Sequence, residues 1–511
     1  MWLAMLGLLN GIMTGFVYSV KELWFGIFFV LVPFAGILLT RKRISGFLIG
    51  YGLGYYITGL SFLFKLTDIV PLPVYTAHVL FAAAILAISV ILTCFLWLAL
   101  YPVRFFRRGR GGDIFLLAAL YALGEWLQGA IPAVSFPWFC LAAAATPAPI
   151  MIQGASLFGG VFVSFLLVLW NAALARLFIR RRVEPGVCLA GVLFIAVLLY
   201  GEVRLYQNVP GSRQVMIVQG NHEGGEKWAM ESEDIFEDYR RLIYEYADSP
   251  TDLVILPETA LPYALSDNDA TRKELIAISR QLKAEILLGA IEHGDTKKGE
   301  NGYYNAVFHV TESGIDEAVY RKQVLVPFGE YLPFEQVLGR MFPWLPEFMS
   351  GNYFAAGTEQ VVFDTKVGKA GTLICYESIF PGLAREAVRE GAQFLVLVSN
   401  DSWFQDTPAM GEHHAHAVLR AVEEGRYILR AGNTGISSVI DSRGRVIAGM
   451  PENTSGGFQA NVRPCTETTV YAGVGDIFPV ILCVCYIFLF LWKGCILIFS
   501  IFSDIISRQY E

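Results

Sequence analysis

Eight apolar stretches, each long enough to cross about 30 Å of hydrocarbon, punctuate this chain near residues 2 to 19, 23 to 40, 45 to 64, 75 to 100, 114 to 131, 151 to 178, 186 to 202 and 477 to 502. A domain in water has no core large enough for that many such runs, so the chain on either side of residues 203 to 475 belongs in lipid. Composition agrees, with 54% hydrophobic and only 17% charged residues, and the charges crowd into the interval between the seventh and eighth runs. Three units are expected: a transmembrane domain of seven helices over residues 1–202, a solvated domain over residues 203–475, and an eighth transmembrane helix with a tail over residues 476–511.

Positive charge fixes the expected orientation. Arg41, Lys42 and Arg43 follow the second run, Arg104, Arg107, Arg108 and Arg110 the fourth, and Arg180, Arg181 and Arg182 the sixth, whereas the alternate loops carry only Lys21 and Lys65. By the positive-inside rule both termini are cytoplasmic and the large domain faces outward. The N-terminal MWLAMLGLLNGIMTG has neither a basic leader nor a small-residue cleavage site, so it reads as a retained first span. A net charge of −7 leaves no basic footprint for nucleic acid. Six of the eight cysteines (Cys94, Cys140, Cys188, Cys483, Cys485 and Cys495) fall in or beside apolar runs, which leaves Cys375 and Cys465 in the solvated part and no disulfide framework.

Within residues 203–475, short apolar runs at 215–218, 253–256, 286–288, 373–375, 394–398 and 437–440 read as buried strands, and amphipathic stretches near 230–247, 269–283, 379–390 and 411–425 read as helices. That alternation predicts a layered α/β domain. Three segments in it carry chemistry: Leu256-Pro257-Glu258-Thr259-Ala260, Tyr320-Arg321-Lys322-Gln323 running on to Glu330-Tyr331, and Leu373-Ile374-Cys375-Tyr376-Glu377. Each sets an ionisable or nucleophilic residue at or near the end of an apolar run, where a strand stops and a loop exposes the side chain above a sheet.

Together, LPETALP, YRKQVLVPFGEYLPF, ICYESIFP, VSNDSWF and RAGNTGIS, flanked by seven apolar runs on one side and one on the other, resemble the apolipoprotein N-acyltransferase family of the nitrilase superfamily. The resemblance implies a nitrilase-like αββα sandwich inserted between the seventh and eighth helices of an eight-helix transmembrane domain. It also implies a catalytic triad of Glu258, Lys322 and Cys375, with Cys375 as nucleophile, Glu258 moving protons and Lys322 facing the oxyanion. The expected reaction is ping-pong: a phospholipid acyl donor forms a thioester on Cys375, and the N-terminal amine of a diacylglyceryl apolipoprotein acceptor takes the acyl group. No metal, nucleotide or redox cofactor is expected, and the protein is expected to act as a monomer in a bacterial inner membrane. Glu330 and Glu377 correspond to acidic residues around the family's triad, orienting Lys322 or the amine, with ordinary surface carboxylates as the alternative. Trp228, Asn305, Tyr376 and Trp403 are candidates to line the pocket, the alternative being plain packing.

Three features lie beside that reading. Phe328, Tyr331, Phe334, Phe342, Trp344, Phe348, Tyr353 and Phe354 crowd a segment broken by prolines at 327, 333, 343 and 346, which predicts an irregular loop. It either anchors at the bilayer as a lid or folds back over the domain's own core. Glu125 and Trp126 sit within the fifth apolar run, where a carboxylate suggests function unless it reaches the solvated end. His413, His414 and His416 look like metal ligands, but without further ligands at suitable spacing a polar helix face explains them.

Overall fold

The computed structural model describes residues 1–511 except 69, 71, 108, 208–210, 224–231, 248–249, 296–300, 346–352, 490 and 492–511. Six of its helical stretches are long and apolar enough to span a membrane: Trp2–Ser19, Lys21–Thr40, Ser45–Asp68, Val74–Phe106, Gly160–Arg180 and Pro185–Tyr206. The remaining two expected spans appear differently. The fifth is the 18-residue helix Asp113–Ala130, and the eighth is described only over Ile477–Leu489. The sixth starts later than its hydropathy suggests, because Gly159 at φ +81° ends the preceding short helix and a new one begins at Gly160.

Glycine spacing explains how the first two long elements pack. Gly7 and Gly11 of helix Trp2–Ser19 and Gly50 and Gly54 of helix Ser45–Gly59 lie four residues apart, so each pair forms one helical face. A Cβ on Gly11 would sit 2.1 Å from the Tyr51 carbonyl oxygen, and one on Gly50 the same distance from that of Ala4. Lipid tails are as apolar as side chains, so close backbone contact of this kind is what drives helices together in a bilayer.

Residues 213 to 462 build two sheets. The first contains β1 (Arg213–Gln219), β2 (Leu253–Ile255), β3 (Leu261–Ala264), β4 (Glu285–Asp295), β5 (Asn301–Val310) and β6 (Ile315–Arg321). The second contains β7 (Val362–Thr365), β8 (Gly368–Ile374), β9 (Phe394–Ser399), β10 (Tyr427–Gly432), β11 (Ser437–Ile440) and β12 (Val446–Met450), while β13 (Gly456–Val462) returns to the first. Their orders are β13-β1-β2-β4-β5-β6, with β3 beside β4, and β12-β11-β10-β9-β8-β7. The central pairs β1–β2, β2–β4, β8–β9 and β9–β10 are parallel, as expected of strands buried on both faces.

Period-2 alternation sorts the side chains between layers. Val215 and Ile217 of β1 join Val396, Val398 and Leu429 in a core between the sheets. Met216 and Val218 point the other way, onto helices Ser232–Tyr246 and Asp269–Leu282. The outer face of the second sheet packs on helices Pro381–Arg389 and Ala409–Glu424, and this layer continues into the helical bundle as one apolar core. The result is a layered α/β arrangement, two sheets between helical layers, with an apolar helical region on its N-terminal side.

Candidate active site

Glu258, Lys322 and Cys375 emerge at or just beyond the ends of β2, β6 and β8. Past β2 the chain turns through Thr259 at φ +45°. Strand β4 passes so close that a Cβ on Gly289 would lie 2.7 Å from the Glu258 Cα. Lys322 is pinned by its backbone N–H to the Asn305 carbonyl at 2.9 Å. Its ammonium reaches two carboxylates, with Nζ 3.2 Å from Glu258 Oε1 and 2.9 Å from Glu330 Oε1. Asn305 Nδ2 donates to the same two oxygens at 2.7 and 3.0 Å. The second oxygens accept from Asn400 N and Val326 N, each at 2.7 Å.

Lys322 is only 1% exposed, and a lone ammonium would lose its proton at such a depth. Burial does push it down, but Glu258 and Glu330 outweigh that and hold it well above the ordinary lysine range. Glu330 is therefore a partner of Lys322 rather than a surface carboxylate, and Asn305 bridges the two acids.

Cys375 begins a tight turn, Cys375–Ile379, at φ +51°. Left-handed backbone costs a residue with a Cβ roughly 1–2 kcal/mol, and it persists where surrounding contacts over-determine it. Glu377 supplies some of them. One of its oxygens accepts from Ile374 N at 2.7 Å and Tyr320 Oη at 2.8 Å, the other from Gln323 N at 2.6 Å and Val324 N at 3.2 Å. This single carboxylate therefore ties the Cys375 turn to the loop that carries Lys322. Burial pushes Glu377 up to about 7 against the opposing pull of those bonds. Burial, reinforced by Glu258, also raises the Cys375 thiol far above its ordinary value, and the nearby Lys322 offsets only part of this. At rest the sulfur keeps its proton.

Buried residues that sequence reasoning placed outside the site lie beneath the cysteine. His413 Nε2 donates to the Cys375 carbonyl at 3.0 Å, and its Nδ1 lies 2.9 Å from Asp401 Oδ1. Arg430 Nη2 donates to Asp401 Oδ2 at 2.7 Å, and Ser399 Oγ to Asp401 Oδ1 at 2.7 Å. Burial alone would raise Asp401, but Arg430 and His413 hold it well below the usual carboxylate range. Both VSNDSWF and RAGNTGIS contribute here: a Cβ on Gly435 would fall 2.1 Å from Asp401 Oδ2, so the close approach requires glycine.

The expectation of a polar helix face for the histidines needs correction, because His413 and His416 are each 1% exposed. They have separate partners, since His414 Nε2 contacts Ser438 Oγ and His416 Nε2 donates to the Trp138 carbonyl. Ligand atoms of Cys375, Asp401 and His413 lie within 4.8 Å of one another. They do not fit a metal, because the Arg430 guanidinium already neutralises Asp401 and both His413 nitrogens face protein partners.

Tyr376 is buried with its ring against Phe380, and its hydroxyl has no partner among the described residues. Trp403 is 36% exposed, and Trp228 lies outside the described residues. The aromatic segment contains a helix, Glu335–Met341, where a loop was expected, because no proline falls between positions 334 and 342. Phe328, Phe334, Phe342 and Trp344 of this segment are exposed, whereas Leu332 is buried; Phe348 lies outside the described residues. Glu125 is buried and held by local partners. It accepts from Leu141 N at 3.1 Å and Ser164 Oγ at 2.7 Å, capping the short helix Leu141–Ala144.

Comparison with known proteins covers both halves. Residues 214–469 match the family model for carbon-nitrogen hydrolases, and residues 10–173 match that for the apolipoprotein N-acyltransferase N-terminal domain. A protein of Allorhizobium ampelinum named apolipoprotein N-acyltransferase is 36% identical over 432 residues, 82% of this chain and 80% of its own. Proteins of the same name from Rhizobium meliloti and Geobacter metallireducens are 34% and 32% identical, covering 73% and 77% of this chain and 71% and 78% of their own.

Proposed function

Because this chain belongs to the apolipoprotein N-acyltransferase family, and so is a bacterial membrane enzyme that N-acylates lipoproteins, we propose that Glu258, Lys322 and Cys375 are its catalytic residues. The observation that supports this most is the convergence of a carboxylate, an ammonium and a thiol from three strand ends, with Lys322 Nζ 3.2 Å from Glu258 and the sulfur under the field of both.

The acyl donor is a phospholipid. As Cys375 Sγ attacks the ester carbonyl, Glu258 takes the thiol proton, which the buried sulfur would not release alone. Lys322 and the backbone N–H of Tyr376 face the oxyanion of the tetrahedral intermediate. Collapse breaks the ester C–O bond, and the lysophospholipid leaves with the proton held by Glu258. The second half runs in reverse. The N-terminal ammonium of a diacylglyceryl apolipoprotein gives a proton to Glu258, the resulting amine attacks the thioester carbonyl, and collapse forms the amide and breaks the C–S bond; of the two protons the nitrogen sheds, one returns to the sulfur and the other leaves to solvent.

Glu330 keeps Lys322 charged and Asn305 fixes the spacing of the two acids. Tyr376 and Trp403 line the approach for the acyl chain. The exposed aromatic segment from Phe328 to Trp344 meets the membrane interface and keeps water from the thioester. The domain limits are 1–202, 203–475 and 476–511, and the protein is a monomer of eight spans in the inner membrane. Both termini are cytoplasmic and the catalytic domain is periplasmic, an orientation supported by the basic loops after the second, fourth and sixth apolar runs. The test is acyl transfer in detergent from phosphatidylethanolamine to a synthetic diacylglyceryl lipopeptide. Wild-type protein should yield an N-acylated product and Cys375→Ala none; product formation by the variant would exclude the assignment.

A further inference from the structure

Helix Ala409–Glu424 is held between the nucleophile and the helical bundle, and both its faces are engaged. Toward the nucleophile, His413 Nε2 donates to the Cys375 carbonyl at 3.0 Å, a bond with a fixed direction because a carbonyl only accepts. Arg420 Nη1 approaches the carbonyls of Ser378 and Ile379, three and four residues further on, at 3.4 Å each. Toward the bundle, Trp138 gives its indole N–H to Glu412 and receives His416 Nε2 on its carbonyl at 2.9 Å. The same indole stacks over His413, with ring centroids 5.9 Å apart and planes inclined by 23°.

The imidazole is thus fixed from three sides. Trp138 covers a face, Asp401 Oδ1 meets Nδ1 at 2.9 Å, and Arg430 Nη2 lies 3.1 Å from Nδ1 while bound to Asp401. Its one remaining polar atom, Nε2, points at the cysteine whose backbone is in the left-handed region. We propose that His413 is a positioning residue for acyl transfer: it holds the Cys375 carbonyl, and so the direction of Sγ, in register with Glu258 and Lys322, and Trp138 makes that register depend on the membrane half. The proposal rests on Cys375 being the nucleophile. No bond to substrate is involved; His413 acts only through the peptide of Cys375. A reacting atom displaced by about 1 Å loses roughly 100-fold in rate, whereas donor binding, which this contact does not touch, stays as it was.

The test is single-turnover acylation of the full-length protein in detergent, with acyl-Cys375 followed by mass spectrometry across a range of phosphatidylethanolamine concentrations. His413→Phe keeps a ring against Trp138 but has no donor; its maximal acylation rate should fall about 30- to 100-fold with half-saturation unchanged. His413→Gln places an amide N–H near the position of Nε2 and should stay within about 5-fold of wild type, while His413→Asn, one methylene shorter, should fall with Phe. Wild-type rates in His413→Phe, or a raised half-saturation at unchanged maximal rate, would overturn the proposal. If the Phe variant does not fold, Gln against Asn decides, and equal rates for the two would overturn it. Wild-type protein without acyl on Cys375 would instead remove the nucleophile assignment, and this proposal with it.

Discussion

The helical bundle and the α/β domain reach precision by opposite means. In the bundle, helices Trp2–Ser19 and Ser45–Gly59 meet where side chains are missing, backbone against backbone at Gly7, Gly11, Gly50 and Gly54. Its buried ionisable groups have structural partners, as with Glu125 at the Leu141–Ala144 helix and Arg176 paired with Glu184 at 2.9 Å. The catalytic half buries Glu258, Lys322, Glu330, Glu377, Asp401 and Arg430 together and pairs each with another charge or with backbone N–H groups. The bundle should therefore be sensitive to added atoms and the catalytic half to altered charge.

The largest test of that contrast is Lys322→Met, which keeps the length of the side chain but leaves two carboxylates facing each other. It should reduce acyl transfer by about 1,000-fold or more, read as N-acylated lipopeptide per minute; a loss under tenfold would break the contrast. On the bundle side, Gly11→Ile must displace a backbone carbonyl 2.1 Å from its Cβ. Overpacking of this kind should cost about 3 kcal/mol, seen as a lower melting temperature in detergent, while Gly36→Ile, with nothing within 4 Å, should cost far less.

Glu377→Gln comes next. An amide nitrogen would face backbone N–H groups that now donate to oxygen, so the Cys375 turn and the Lys322 loop should separate. The acylation rate should fall roughly 10- to 100-fold in the same assay. The smallest effect concerns pH and sharpens the comparison at the seam between the halves. Burial pushes Glu424 up to about 8 and Glu412 up to about 7. The folded state then keeps protons that the unfolded chain gives up near the ordinary carboxylate value. Their stabilising contribution is complete below about pH 4.5 and is lost as pH rises through 7 and 8. Stability, read as the melting temperature, should fall between pH 5.5 and 8.5, and Glu424→Gln should flatten part of that slope.

Much of this was legible because it is local. The apolar runs, the strands β1, β2, β4, β8, β9 and β11, and the segments ending in Glu258, Lys322 and Cys375 each carry their signal within a few residues. What stayed hidden depends on partners distant in sequence. Asp401, His413 and Arg430 are 12 and 17 residues apart, and each alone reads as an ordinary polar residue. The break at Gly159 was invisible to hydropathy because glycine does not interrupt an apolar run, and helix Glu335–Met341 was hidden by the prolines on either side of it. Strand β12, with mostly exposed or half-exposed residues, lacks the burial that marks its neighbours.

The central claim is a transient thioester at one sulfur. Purified protein exposed to phosphatidylethanolamine and digested for mass spectrometry should carry one fatty acyl group on the Cys375 peptide, and the mass should disappear on addition of a diacylglyceryl lipopeptide as an amide forms on its N-terminal cysteine. An acyl group on another residue, or amide formation while Cys375 stays unmodified under single-turnover conditions, would contradict it.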